Sequence, residues 1–221
     1  MSNPVSIYEA EDNRIRRNLL AHIRYALQYR AFFVYWVRRG LITRYSQTSV
    51  GFLWAIFQPL LSSLVYLIVF SVVARVSTEP VPYPLFIVTS LVLWSYFNRI
   101  VFSGAASIIG NLDIITRVQF PREFLPLSVA IEAVVDLLFG IIIIAIFFVI
   151  YQHPITPFIL LAIPIFAIQT MLALGLAFFL AAMSTMIRDL FQVLPILLQL
   201  LLYVSPVLYP LDIVPGSIRA L

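Results

Sequence analysis

Four stretches of this sequence contain no Asp, Glu, Lys or Arg: residues 45–74, 80–98, 137–187 and 190–211. A helix needs about 20 apolar residues to cross the hydrocarbon of a bilayer. The 137–187 run is long enough to cross twice. A spanning β-barrel would instead show short strands of alternating polarity. These runs are continuous and rich in Leu, Ile and Phe, so helices are expected. With 62% hydrophobic and only 11% charged residues, against about 25% charged in soluble domains, the chain cannot cover a water-facing surface in the usual way. The expected fold class is all-α: a polytopic transmembrane helical bundle forming a single domain over residues 1–221.

The remaining polar residues divide the bundle. Residues 1–18 read as a cytoplasmic tail, with no apolar core and small-residue cleavage site of a signal peptide. Residues 19–44 read as an amphipathic helix in the membrane interface. Leu19, Ile23, Leu27, Val34, Val37 and Leu41 fall on one stripe at helical period. Arg30 and Arg38 interrupt that stripe, although long Arg chains reach out to headgroups. Five spans follow within 50–209: roughly Val50 to Val73, Leu85 to Ser103, a third ending near Ile150, a fourth ending near Met186 and a fifth ending near Tyr209. Short loops are expected at 75–84 and 151–157 and a longer polar one at 104–125. The segment 205–221 reads as an outer re-entrant pair of helices or a loop. Five spans put the two termini on opposite sides, and a sixth span is expected beyond Leu221.

The Arg residues orient the bundle. With the N-terminus cytoplasmic, only Arg75 and Arg219 of the 14 basic residues fall outside, as the positive-inside rule favours. Residue absences exclude chemistry. The chain has neither Cys nor Lys, so it carries no thiolate nucleophile and no Schiff-base or phosphate-loop Lys. His22 and His153, its two histidines, lie in different segments. No catalytic residue, metal site or cofactor is expected in the chain, and it is not expected to be an enzyme. Any ATP and Mg that transport requires would be bound by a partner.

Three ordered stretches carry a family resemblance: RYSQTSVGFLWAIFQPL (Arg44 to Leu60), NLDIITRVQFPREFLPLS (Asn111 to Ser128) and IRDLFQVLPILLQLLLYVSPVLYP (Ile187 to Pro210). Together they resemble the membrane-spanning permease subunits of ABC type-two polysaccharide exporters, which move O-antigen, teichoic-acid and related glycans. Ser46 and Arg117 stand where a Lys is common in that pattern; Arg117 keeps the charge and Ser46 does not. The resemblance implies a subunit that homodimerises and binds a separate ATP-binding-cassette ATPase. It would export a polyprenyl-pyrophosphate-linked polysaccharide across the bacterial inner membrane, with membrane lipid but no nucleic acid as a further partner. It also implies that the loop containing Asn111, Leu112, Asp113, Ile114, Thr116 and Arg117 is a coupling helix docked on the ATPase; a plain solvated connector is the alternative. Gly51 and Trp54 would mark the elbow where the chain turns into the first span.

Three further groups stand out. Arg30, Arg38, Arg39 and Arg44 are candidates for contacting the carrier headgroup, since the guanidinium fork bonds phosphate oxygens in pairs, or for holding anionic lipid. Tyr66, Tyr96 and Phe97 are pore-lining candidates, because sugars stack their C–H faces on aromatic rings. Glu132 and Asp136, four apart, share one face of the third span. Acids inside a membrane helix are costly and face a bundle interior. They are either a proton relay or a structural pair neutralised by Arg99 or water. A proton-driven secondary transporter using these two acids, an ABC exporter of drugs or lipids and a non-transporting scaffold are the rival functional readings.

Overall fold

The computed structural model describes residues 25, 27–46, 53–73, 78, 81–154, 156–187 and 189–210. The expected tail, the start of the interfacial helix, the elbow residue Gly51, the loop at Arg75, Arg188 and everything beyond Pro210 lie outside them. The described residues form seven α-helices: α1 (Arg30–Ser46), α2 (Leu53–Leu67, continuing as a π-helical segment Ile68–Val73), α3 (Tyr83–Ala106), α4 (Leu112–Arg117), α5 (Phe124–Ile150), α6 (Ala162–Ser184, led in by the 3-10 turn Pro157–Leu161) and α7 (Leu190–Val204). Among the described residues there is no strand, in keeping with the all-α expectation.

Prolines set several helix starts. Pro84 occupies the first turn of α3 and Pro157 opens the turn before α6; the missing N–H costs nothing there and the fixed φ suits the helix. Three helices are long and apolar enough to cross a membrane: Tyr83–Ala106, Phe124–Ile150 and Pro157–Ser184, with mean hydropathies of 1.6, 3.1 and 2.3. The fifth expected span is shorter than its apolar run suggested. α7 has 15 residues, about 22 Å of helix at 1.5 Å per residue, and stops at Val204 rather than near Tyr209. Ser205 adopts extended backbone and Pro206 follows it, which ends the helix. Tyr209 turns back and donates its hydroxyl to the carbonyls of Tyr203 (3.2 Å) and Val204 (3.1 Å), occupying carbonyls that a helix end leaves without partners. Leu208 is fully buried, and its carbonyl accepts a hydrogen bond from Tyr83 at 3.0 Å. The end of α7 is thereby tied to the start of α3.

α3 is the hub, packed most extensively on α5 and α6 and then on α2. Small residues permit this closeness, as is common between membrane helices. Ala173, Ala177, Ala181 and Ser184 form the buried stripe of α6. A Cβ on Gly104 of α3 would lie 2.7 Å from that of Ala177. Across the other face, a Cβ on Gly140 of α5 would run into Val92. α7 contributes a stripe of Leu190, Leu194, Leu198 and Leu202.

α1 departs from the expected pattern. Of the proposed aliphatic stripe, Leu27 and Val34 are exposed, and the face turned to the bundle is mainly aromatic. Phe32 and Trp36 pack on Phe120, Phe33 on Phe124, and Tyr45 on Phe139. Val37 and Leu41 of the same stripe are half-buried, and rings dominate the contact with the bundle. The contacts also advance together along both helices, from Phe33 with Phe124 to Tyr45 with Phe139. α1 therefore runs alongside the N-terminal half of α5, in the same direction.

Candidate functional site: a charge cluster between two cavities

The register of α1 on α5 brings four charged side chains together inside the bundle. Arg99 sits within α3, about two turns before its end. Its guanidinium lies 3.4 Å from Glu132 and also pairs with Asp136. The spacing of four along α5 puts both carboxylates on one face, so a single Arg reaches both. From the end of α1, Arg44 approaches Asp136 at 3.2 Å, and the Tyr45 hydroxyl donates a hydrogen bond to the same carboxylate. Two cations thus face two anions. Removing one partner from such a buried group leaves an uncompensated charge, which is the costly event.

Gly40 makes the close approach possible. A Cβ there would run into the Glu132 carboxylate, so any larger residue would push α1 or Glu132 aside.

Two cavities flank the cluster. The first, of ≈ 480 Å³, lies between α1, the C-terminal end of α3 and the N-terminal part of α5. Its cationic lining is Arg39, Arg44 and Arg99, with Thr43, Ser103, Ser107, Asn111 and Ser128 among the polar groups and Glu132 the one acid. Arg39 also lies over the Trp36 ring, 4.9 Å from its centroid, an attractive cation–π geometry. The second cavity, of ≈ 380 Å³, lies further along α5 between α2, α3 and α5, with Ser62, Trp94, Tyr96, Asn98 and Asp136 in its wall.

The structure therefore divides the candidate headgroup residues. Arg39 and Arg44 line the first cavity, whereas Arg30 and Arg38 are exposed on α1 and line neither. The pore-lining candidates also separate. Tyr96 and Phe97 belong to the α3 core, only 3% and 6% exposed. Tyr96 shares a 3.0 Å hydrogen bond with Thr170 and packs on Phe166, though it borders the second cavity. Tyr66 is half-buried beside Phe70. Both aromatic core residues are held by the chain's own packing, so they do not form an open aromatic face of this subunit. The residues that sequence reasoning passed over are Gly40 and Tyr45, and Arg99 was named only as a partner for the acids. An Arg set within a mainly apolar and aromatic stretch, as in WSYFNRIVF, was the available signal for the last.

At the α4 end, the expected coupling segment forms a helix of six residues, none buried. Leu112, Asp113, Thr116 and Arg117 are exposed, and Ile114 is half-buried. Asn111 folds back, its amide donating to the Ser107 carbonyl at 2.8 Å. Among the described residues, no group of His, Cys, Asp or Glu is arranged to hold a metal ion.

The sequence profile of the ABC-2 type transporter family matches residues 31–221. The chain belongs to that family. The O-antigen export system permease protein RfbA of Myxococcus xanthus is 33% identical over 191 residues, covering 86% of this chain and 72% of that protein. The protein of the same name from Klebsiella pneumoniae is 34% identical over 179 residues, 80% of this chain and 68% of the relative. The polysialic acid transport protein KpsM of Escherichia coli is 23% identical over 179 residues, 80% of this chain and 69% of the relative. This ABC-2 family member is a multi-pass membrane transport protein. Neither the proton-driven alternative nor a drug exporter is favoured by these likenesses.

Proposed function

We propose that the chain is the permease subunit of an ATP-binding-cassette exporter that moves a polyprenyl-pyrophosphate-linked polysaccharide across the bacterial inner membrane. The observation that carries this reading is the likeness, over four-fifths or more of the chain, to relatives named as O-antigen export permeases. In this reading two copies of the chain pair, each with a separate ATPase subunit that binds ATP and Mg. The N-terminus faces the cytoplasm. Arg39 and Arg44, beside the first cavity, meet the anionic carrier headgroup, since paired guanidinium–phosphate bonds are strong and directional.

The exposed helix α4 is the proposed contact with the ATPase. It lies outside the core, between the two most closely packed spans, so a push on it is delivered directly to α3 and α5. Charged contacts on so small a helix set specificity as much as affinity. The test is co-purification with a candidate ATP-binding-cassette ATPase from the same organism, together with restoration of glycan export in a strain lacking the chain. Wild-type chain should do both, and Asp113→Ala combined with Arg117→Ala should insert in the membrane but lose ATPase capture. Normal capture and export by the double variant would make α4 a mere connector. Absence of export with the wild type and its ATPase would refute the functional reading itself.

A further inference from the structure

Two separate observations meet at Asp136. The first concerns the cavities, which share Arg44, Arg99, Phe102 and Ser103 in their walls. The two cavities adjoin at these side chains. Three of them belong to α3, and Arg44 alone comes from α1. The second concerns how α1 is held. Its early turns are clamped by Phe32, Phe33 and Trp36 on Phe120 and Phe124. Its last turn reaches the bundle through Arg44 and Tyr45, both bound to the Asp136 carboxylate, and through the Tyr45 ring, which packs on Phe139.

We propose that Asp136 is a latch for α1: when Arg44 and Tyr45 leave its carboxylate, the last turn of α1 swings away and the two cavities join into one passage along α3 and α5. This inference does not depend on what the chain transports.

The asymmetry of the cluster decides which bond opens. Arg44 is 40% exposed, while Arg99 is 11% exposed. Ion pairs open to solvent contribute little, so the Arg44 pair is the weak one. Arg99 stays in place, and Asp136 therefore never becomes an unpaired buried charge, the outcome that would forbid release. Release still leaves Glu132 and Asp136 facing Arg99 alone, and that local negative charge draws Arg44 back. The latch is reversible for this reason. Gly40 lies between the clamped and latched parts of α1, where a glycine weakens the helix. It is the natural hinge.

The absence of native Cys permits a direct test in membrane vesicles carrying the full chain. Asn98→Cys places a thiol on the second cavity only, and its modification by a small charged methanethiosulfonate reagent reports access where the two cavities adjoin. The open member of a two-state pair is typically about 0.1–10% populated, so freeing the latch should raise the modification rate by about tenfold or more. Asp136→Asn and Arg44→Gln should each do so. Ser184→Cys, a near-isosteric change at a site on α6 that is 1% exposed and lines neither cavity, reports general unfolding and should stay unreactive in both backgrounds. Failure of either latch variant to speed modification of the Asn98→Cys thiol overturns the proposal. A parallel rise at Ser184→Cys overturns it as well, because the bundle would then have loosened as a whole.

Discussion

At the scale of single residues, Arg39 and Arg44 differ from Arg30 and Arg38 in one respect, the surface they face. Sequence grouped all four by proximity and charge. Helical geometry sorts them, because the face of α1 that carries the ring contacts also carries the cavity. If a headgroup phosphate is held by paired guanidinium bonds, replacing Arg by Lys keeps the charge and loses the fork. One charge-assisted hydrogen bond is worth roughly 1.5 kcal/mol, which is about a tenfold change in affinity. Arg39→Lys and Arg44→Lys are therefore expected to lower glycan export about tenfold, with normal expression and ATPase capture. Arg30→Lys and Arg38→Lys should export normally, since attraction to anionic lipid needs only charge. Equal tolerance at all four positions in an export assay would remove the headgroup role. The same sorting explains what was legible at this scale. Residue type marked Glu132, Asp136 and Arg99 as a matching set, because charges in an apolar run need partners. Nothing in the local pattern announced that Tyr45 and Arg44, some 90 positions away, complete it.

At the scale of elements, the long spans were legible almost to the residue and the short elements were not. The charge-free runs gave α3, α5 and α6 because an uninterrupted apolar helix has one fate in a bilayer. α7 fell short because its end is fixed by Pro206 and by the Tyr209 hydroxyl, a local competition that hydropathy does not register. The bundle-facing side of α1 was not legible, because rings outweigh aliphatic side chains in its contacts. Helix–helix distances were likewise hidden, since a Gly in a span has no single meaning. Gly104 and Gly175 make the distinction testable. A methyl at Gly104 meets the Ala177 Cβ at 2.7 Å, whereas one at Gly175 meets nothing within 4 Å. Overpacking costs about 1–3 kcal/mol, while Gly to Ala in an open helical position gains roughly 0.5–1 kcal/mol. Thermal unfolding in detergent should show Gly104→Ala melting below the parent and Gly175→Ala at or above it. The opposite order would mean that α3 and α6 are not packed as described.

At the scale of the whole molecule, the described charged residues gather toward one end of the bundle. The chain's described arginines, Arg30, Arg38, Arg39, Arg44, Arg99, Arg117 and Arg122, all belong to α1, the C-terminal part of α3 or the α4 region. The opposite end holds the start of α3, residues 151–154 and 156, and residues 205–210, and among these described residues there is no Asp, Glu, Lys or Arg. Cytoplasmic loops carry the excess of Arg and Lys in membrane proteins, so the α4 end is expected to face the cytoplasm. That orientation is also what the proposed mechanism requires, because ATP is cytoplasmic and α4 is the exposed element available to an ATPase. The two arguments rest on different physics, one on insertion and the other on the partner's compartment, and a single experiment tests both. Asp113→Cys marks the α4 end and Thr156→Cys marks the other, both at exposed positions. In intact cells with a permeable outer layer, a membrane-impermeant maleimide should label Thr156→Cys and leave Asp113→Cys unmodified until the inner membrane is broken. Labelling of Asp113→Cys in intact cells would invert the molecule and put α4 beyond the reach of any cytoplasmic ATPase.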